Sequence, residues 1–122
     1  MITCRSVSAS SEWYQRVLGL ESGHGGDEYE MLLSDGALVL QLHEIDAHEH
    51  PHLIREGIDV GNGVAVWFET TEYDATLARI EATGAAVLET DHVNELAKHR
   101  EIWLHDPDGY VVVVSSPYGD VG

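Results

Sequence analysis

The apolar pattern of this chain falls into two halves of the same layout, and that duplication limits the fold more than any single segment does. In the first half Ile2–Val7 reads as a strand. Ser10 or Ser11 can cap a helix running from about Glu12 to Leu18, and Gly19 sits where a left-handed stop belongs. Glu21–Gly23, Tyr29–Leu33 and Ala37–His43 follow as strands, with Ser34-Asp35-Gly36 as the turn between the last two. The second half repeats the plan. Gly63–Glu69 reads as a strand, and Thr71 caps a helix with Asp74 in its first turn. Tyr73, Leu77 and Ile80 give that helix a buried stripe before Gly84 stops it. Ala86–Glu89, Glu101–His105 and Tyr110–Ser115 complete it. Each half is β-α-β-β-β, and His43 to Asn62 is the long connection between them.

The final hairpin is the most specific local signal. Arg100, Ile102 and Leu104 alternate with Glu101, Trp103 and His105, the period of a strand with two unlike faces. Asp106-Pro107-Asp108-Gly109 is turn chemistry, with a preset φ at proline, an aspartate that accepts from nearby N–H groups, and a glycine free to take positive φ. The β-branched run Val111–Val114 then suits a buried strand.

Composition bounds the partners. Twenty-two acidic against six basic residues give a net charge of −16, which repels nucleic-acid backbones and anionic membranes. No apolar run approaches the ~18 residues that span a bilayer, and MITCRSVSAS lacks a signal-peptide core. The single Cys4 allows no internal disulfide and no cysteine-based zinc cluster. One domain over residues 1–122 is expected, cytoplasmic, with modules at about 1–46 and 62–118 joined by a histidine-rich loop.

Ser10-x-x-Trp13-Tyr14-x-x-x-Leu18-Gly19-Leu20, Val66-Trp67-Phe68-Glu69 and Asp106-Pro107-Asp108-Gly109, set in paired βαβββ halves, resemble the vicinal oxygen chelate superfamily of glyoxalases, bleomycin-resistance proteins and extradiol dioxygenases. The resemblance implies an α+β fold in which two βαβββ modules form an open barrel around a central cavity. It also implies pairing of two copies as a homodimer. Metal-dependent members hold a divalent cation through four positions, which map here onto Thr3 or Arg5, Gln41, Ala65 and Val113. Only Gln41 is a plausible ligand, so the usual centre is expected to be absent.

With Gln41, Ala65 and Val113 facing inward, strand alternation and the superfamily's geometry place Gln41, His43, Trp67, Glu101, Trp103 and His105 on the cavity wall. Two indoles, a carboxylate and imidazoles make a binding site for a small molecule, of which a cationic or aromatic one suits the wall and the charge. His43, Glu101 and His105 are the candidates for acid–base work. The alternative is a lyase, isomerase or dioxygenase with a displaced metal centre. There His43 joins His48, His50 and His52, whose alternate spacing on an extended segment projects imidazoles to one side for Zn, Ni, Mn or Fe. A regulatory or accessory domain is a third class.

Three further clusters are open to two readings. Gly23-His24-Gly25-Gly26 is a glycine turn or a lid. His92 and His99 bracket a loop that can approach the cavity mouth. Glu28-Tyr29-Glu30 sets two carboxylates on one strand face, for solvation or for acid–base work.

Overall fold

The computed structural model describes residues 1–46 and 51–122. Eight strands and two helices appear in the order β1 (Ile2–Cys4), α1 (Val7–Leu18), β2 (Glu21–Gly25), β3 (Tyr29–Ser34), β4 (Ala37–Glu44), β5 (Ala65–Glu69), α2 (Tyr73–Thr83), β6 (Ala86–Asn94), β7 (His99–His105) and β8 (Val111–Ser115). They build two four-stranded sheets of matching order, β1-β4-β3-β2 and β5-β8-β7-β6. In each, the first and last strands pair in parallel and the remaining pairs are antiparallel. The expected α+β fold of two βαβββ modules is what forms. No helix among the described residues is long and apolar enough to cross a membrane.

One core serves both modules. Leu32, Leu40 and Leu42 of the first sheet and Ile102, Leu104, Val112 and Val114 of the second share it with Tyr14, Val17, Tyr73 and Ile80 of the helices. Strand alternation sends the other residues of each strand to the opposite face. Val113 is fully buried there, away from that core.

Helix α1 begins earlier than the sequence suggests. Ser6 is its N-cap, its hydroxyl accepting from the Ala9 N–H at 3.2 Å, so Ser10 and Ser11 are helical and buried rather than caps. The buried positions Val7, Ser10, Ser11, Tyr14 and Val17 do follow a helical period. Two of them are polar because they serve polar partners, Asp108 and Glu30, and that hid the stripe. The helix ends at Gly19, with φ of 72°. Helix α2 starts at Tyr73 after Glu72, whose N–H donates to the Thr70 hydroxyl at 3.0 Å, so Thr71 is not its cap.

Arg79 of α2 joins the helices. Its guanidinium donates to the Val17 and Leu18 carbonyls at 3.3 and 3.2 Å, satisfying orphan groups at the end of α1. The β3–β4 turn is a two-residue loop with positive φ at Asp35 and Gly36, 49° and 79°, as a type I′ hairpin requires.

Strand β1 stops at Cys4, short of Val7, which opens the helix. Strand β6 runs to Asn94, well past Glu89, and β7 starts at His99. The extension of β6 follows a register shift between Glu89 and His92, and its half-buried residues, His92 and Asn94, are polar, so no apolar alternation marks it in the sequence.

Candidate functional site on the second sheet

The site is built outward from Glu101. Its strand pairs with Ser115 of β8 on one side and His92 of β6 on the other. Alternation puts His99, Glu101, Trp103 and His105 on the face away from the helices, since Ile102 and Leu104 belong to the core. In the next register row, Trp67, Val113 and Trp103 stand side by side across β5, β8 and β7.

Glu101 is 4% exposed and receives four donors. Oε2 accepts from His99 Nε2 at 2.7 Å and Asn94 Nδ2 at 3.2 Å. Oε1 accepts from Trp103 Nε1 at 2.9 Å and lies 3.2 Å from His92 Nε2. Burial alone would push this carboxyl's pKa up, but the bonds from Trp103, His99 and Asn94 outweigh it and hold the group below the usual range.

Asn94 is placed for this by its own turn. Its Oδ1 accepts from the Leu96 and Ala97 N–H groups at 3.1 Å, which aims the amide nitrogen at Glu101.

His92 is bound at both nitrogens. Nδ1 sits 2.8 Å from the Thr90 carbonyl and Nε2 faces Glu101. Neither partner has a proton to give, so both bonds form only when the ring is an imidazolium. The Thr90 carbonyl raises its pKa most, against desolvation, and Glu101 adds to the rise. When His92 is protonated Glu101 sits in a neutralised network, and the field that attracts cations then comes from the net charge of −16 as a whole.

Above this network stand the indoles. Trp67 meets Trp103 edge to face, ring centres 5.9 Å apart at 82°, and lies 6.0 Å from the His99 ring. Its Nε1 donates to the Ser115 hydroxyl at 2.9 Å, which fixes the ring. Trp67 nevertheless remains 46% exposed. A fixed, half-open aromatic surface over a polar floor is suited to stacking a planar ligand.

Of the six expected wall residues, Trp67, Glu101 and Trp103 come together here. Gln41 and His43 belong to β4 of the other sheet, where Gln41 donates to the Tyr29 hydroxyl at 2.9 Å and buried His43 holds Nδ1 3.0 Å from the Glu44 carbonyl. His105 lies on the site face of β7, in register with Ala86 and Val111. His52 is exposed in a short 3-10 turn, Pro51–Leu53, and His48 and His50 lie outside the described residues. The imidazoles that meet Glu101 are His92 and His99, read from the sequence as loop brackets. The signal that could have joined them to Glu101 was the hairpin itself, which folds His92 opposite Glu101.

Of the four positions that the resemblance implied for a metal, Gln41 is bonded to Tyr29 as above. Ala65 and Val113 have no donor atom. Thr3 is bound to the Tyr110 hydroxyl through N at 3.3 Å and Oγ1 at 3.0 Å, and Arg5 to Asp108 at 3.3 Å. Among the described residues no group of three or more histidine, cysteine or acidic side chains is arranged to hold a metal ion.

The profile of the Glyoxalase/Bleomycin resistance protein/Dioxygenase superfamily matches residues 1–114. The chain belongs to this superfamily. Similar solved structures include a glyoxalase/bleomycin resistance protein/dioxygenase family enzyme from Burkholderia phytofirmans PsJN, 18% identical, with TM-score 0.75 over 94% of this chain and 93% of that one. A protein of unknown function from Agrobacterium tumefaciens str. C58 is 20% identical, TM-score 0.75, covering 93% and 87%. A lactoylglutathione lyase from Agrobacterium tumefaciens is 21% identical, TM-score 0.69, covering 94% and 88%. At these identities the likeness is one of fold. No curated protein matches the chain.

Proposed function

We propose that this superfamily member binds a small planar molecule, best an aromatic cation, on the open face of its second sheet, and does so without a metal at the usual position. The observation that carries the reading is Trp67, held by Ser115 and Trp103 yet half exposed. A large aromatic side chain left open at that cost offers a ready stacking surface. The saturated hydrogen bonding of Glu101 favours a binding role over proton abstraction, since every lone pair facing the site is already engaged. Gln41, His43 and His105 would complete the wall of a shared cavity, and a second copy of the chain is the partner that the superfamily's habit suggests.

Protein purified without a histidine tag should be analysed for metal and titrated with ethidium, a planar aromatic cation, and with naphthalene sulfonate, a planar anion. Expected are metal-free protein and saturable quenching of tryptophan fluorescence by ethidium alone. Trp67→Ala should weaken binding about tenfold, the loss of ~1–2 kcal/mol of stacking and cation–π contact. Stoichiometric metal, or indifference of Trp67→Ala to the titration, would overturn the reading.

A further inference from the structure

Glu30 lies on β3 facing α1, on the other sheet from the indoles, and is 8% exposed. Its Oε2 accepts from the Ser11 hydroxyl at 2.8 Å and the Ser22 hydroxyl at 2.9 Å, and Gln15 Nε2 donates to Ser11 in turn at 2.9 Å. Its Oε1 is buried and has no partner among the described residues. A buried oxygen without a donor is costly in a folded interior, so such an atom calls for a specific reason.

The surroundings supply one. Glu30 lines a cleft of about 400 Å³ between α1 and the β2–β3 hairpin. Carboxylates dominate its charge, with Asp27 and Glu12 also at the wall and Arg16 already paired to Glu12 at 3.2 Å. The hairpin tip Gly25-Gly26 covers the orphan oxygen. A Cβ on Gly25 would stand 2.8 Å from Oε1 and closer still to the Tyr29 carbonyl, while Gly26 borders open space. Glycine is required at 25 first by the close approach of the Tyr29 carbonyl and the Glu30 Cα, and that approach also brings the hairpin tip over the oxygen.

We propose that this cleft binds the ammonium group of a small alkylamine, with Glu30 Oε1 accepting from its N–H and the Gly25-Gly26 tip opening to admit it. An N–H donor supplies the missing hydrogen bond as well as charge. The cleft is much larger than a bare ion, and hydroxyl and amide groups of Ser11, Ser22 and Gln15 leave the one carboxylate oxygen as the anchor.

The test is a titration of the full isotope-labelled chain with n-butylammonium, tetramethylammonium or potassium chloride at equal ionic strength, following the Glu30 side-chain carboxyl and the Gly25 and Gly26 amides by NMR. Butylammonium should give saturable shifts confined to this hairpin and α1, at least tenfold tighter than potassium, and tetramethylammonium, which has no N–H, should give none. Glu30→Gln should abolish the response; if that variant does not fold, the comparison of the three cations on the parent chain still decides. Equal responses to potassium or tetramethylammonium, shifts spread over all acidic residues, or no shift at all would each overturn the proposal. Because the site is separate from Trp67, none of these outcomes bears on the indole site.

Discussion

Tyr14 donates a 2.7 Å hydrogen bond to Oδ2 of Asp106 across 92 positions of sequence. Helix α1 of the first module and the Asp106–Gly109 turn of the second are thereby tied, and Ser10 and Arg5 add bonds to Asp108. The turn also closes on itself, since Asp106 Oδ1 accepts from the Asp108 and Tyr110 N–H groups at 2.9 Å. Burial pushes the Asp106 carboxyl up and the Tyr14 hydroxyl up as well, with the bonds to Asp106 working against its rise.

Removing that tie should be costly. Tyr14→Phe leaves Oδ2 of a buried carboxylate without its donor, and an unsatisfied group of this kind costs about 1–3 kcal/mol. The expected result is a lower urea midpoint with an unchanged slope, because the ring still fills its place. A midpoint equal to that of the parent chain would show that the two modules hold together by apolar packing alone.

Glu101→Gln should be comparably severe for a different reason. The amide keeps one acceptor but turns an N–H₂ group toward donors, against His99 and Asn94 or against Trp103 and His92. Bonds to a charged acceptor contribute about 1.5–3 kcal/mol each relative to water, so a loss of roughly 2–3 kcal/mol in chemical unfolding is expected. The emission of Trp103 should shift as its N–H loses a charged partner. Unfolding data that match the parent would mean the network is not formed in solution.

Cys4 should be inert in the native protein. It is fully buried, and burial, despite a hydrogen bond from Ser10, pushes its thiol up to about 11. Ellman's reagent at neutral pH should react at the rate of global opening, and at once in denaturing urea. Rapid labelling of folded protein would place β1 in an open state.

The sequence motifs and the site reveal different things. Tyr14, Gly19 and the Asp106–Gly109 turn proved to be fastening points of the scaffold, which is why they marked the fold yet were silent about chemistry. Trp67, Glu101 and Trp103 were legible because period-2 alternation sets them on one face. His92 was not, because the half-buried residues of β6 past Glu89, His92 and Asn94, are polar and leave no apolar pattern to extend the strand, and His99 was not, because it opens β7 ahead of the strand read from the sequence. Ser10 and Ser11 were misread as caps, and Glu30 was left between two roles, for a related reason. Polar residues that hydrogen-bond each other between helix and sheet break the apolar stripe from which both are recognised.

The His92–Glu101 pair should give stability that is bounded on both sides in pH. Glu101 has its pKa held below the usual 4.5, so its contribution is present above about that pH and is lost as pH falls through the lowered value. His92 has its pKa raised above the usual 6.5, so its contribution is complete below that pH and is lost as pH rises through the raised value. Both groups are charged and bonded together in the interval between. His92 is more than a third exposed, so solvent screening limits the pair to under about 1 kcal/mol. The difference in unfolding free energy between the parent chain and His92→Gln should therefore be greatest between the ordinary values of 4.5 and 6.5 and fall away on both the acid and the alkaline side. It should also shrink in 1 M salt, where the screening length is about 3 Å. A difference that stays constant with pH would mean that His92 acts only as a spacer on the strand edge, and the imidazolium assigned from its two acceptors would have to be withdrawn.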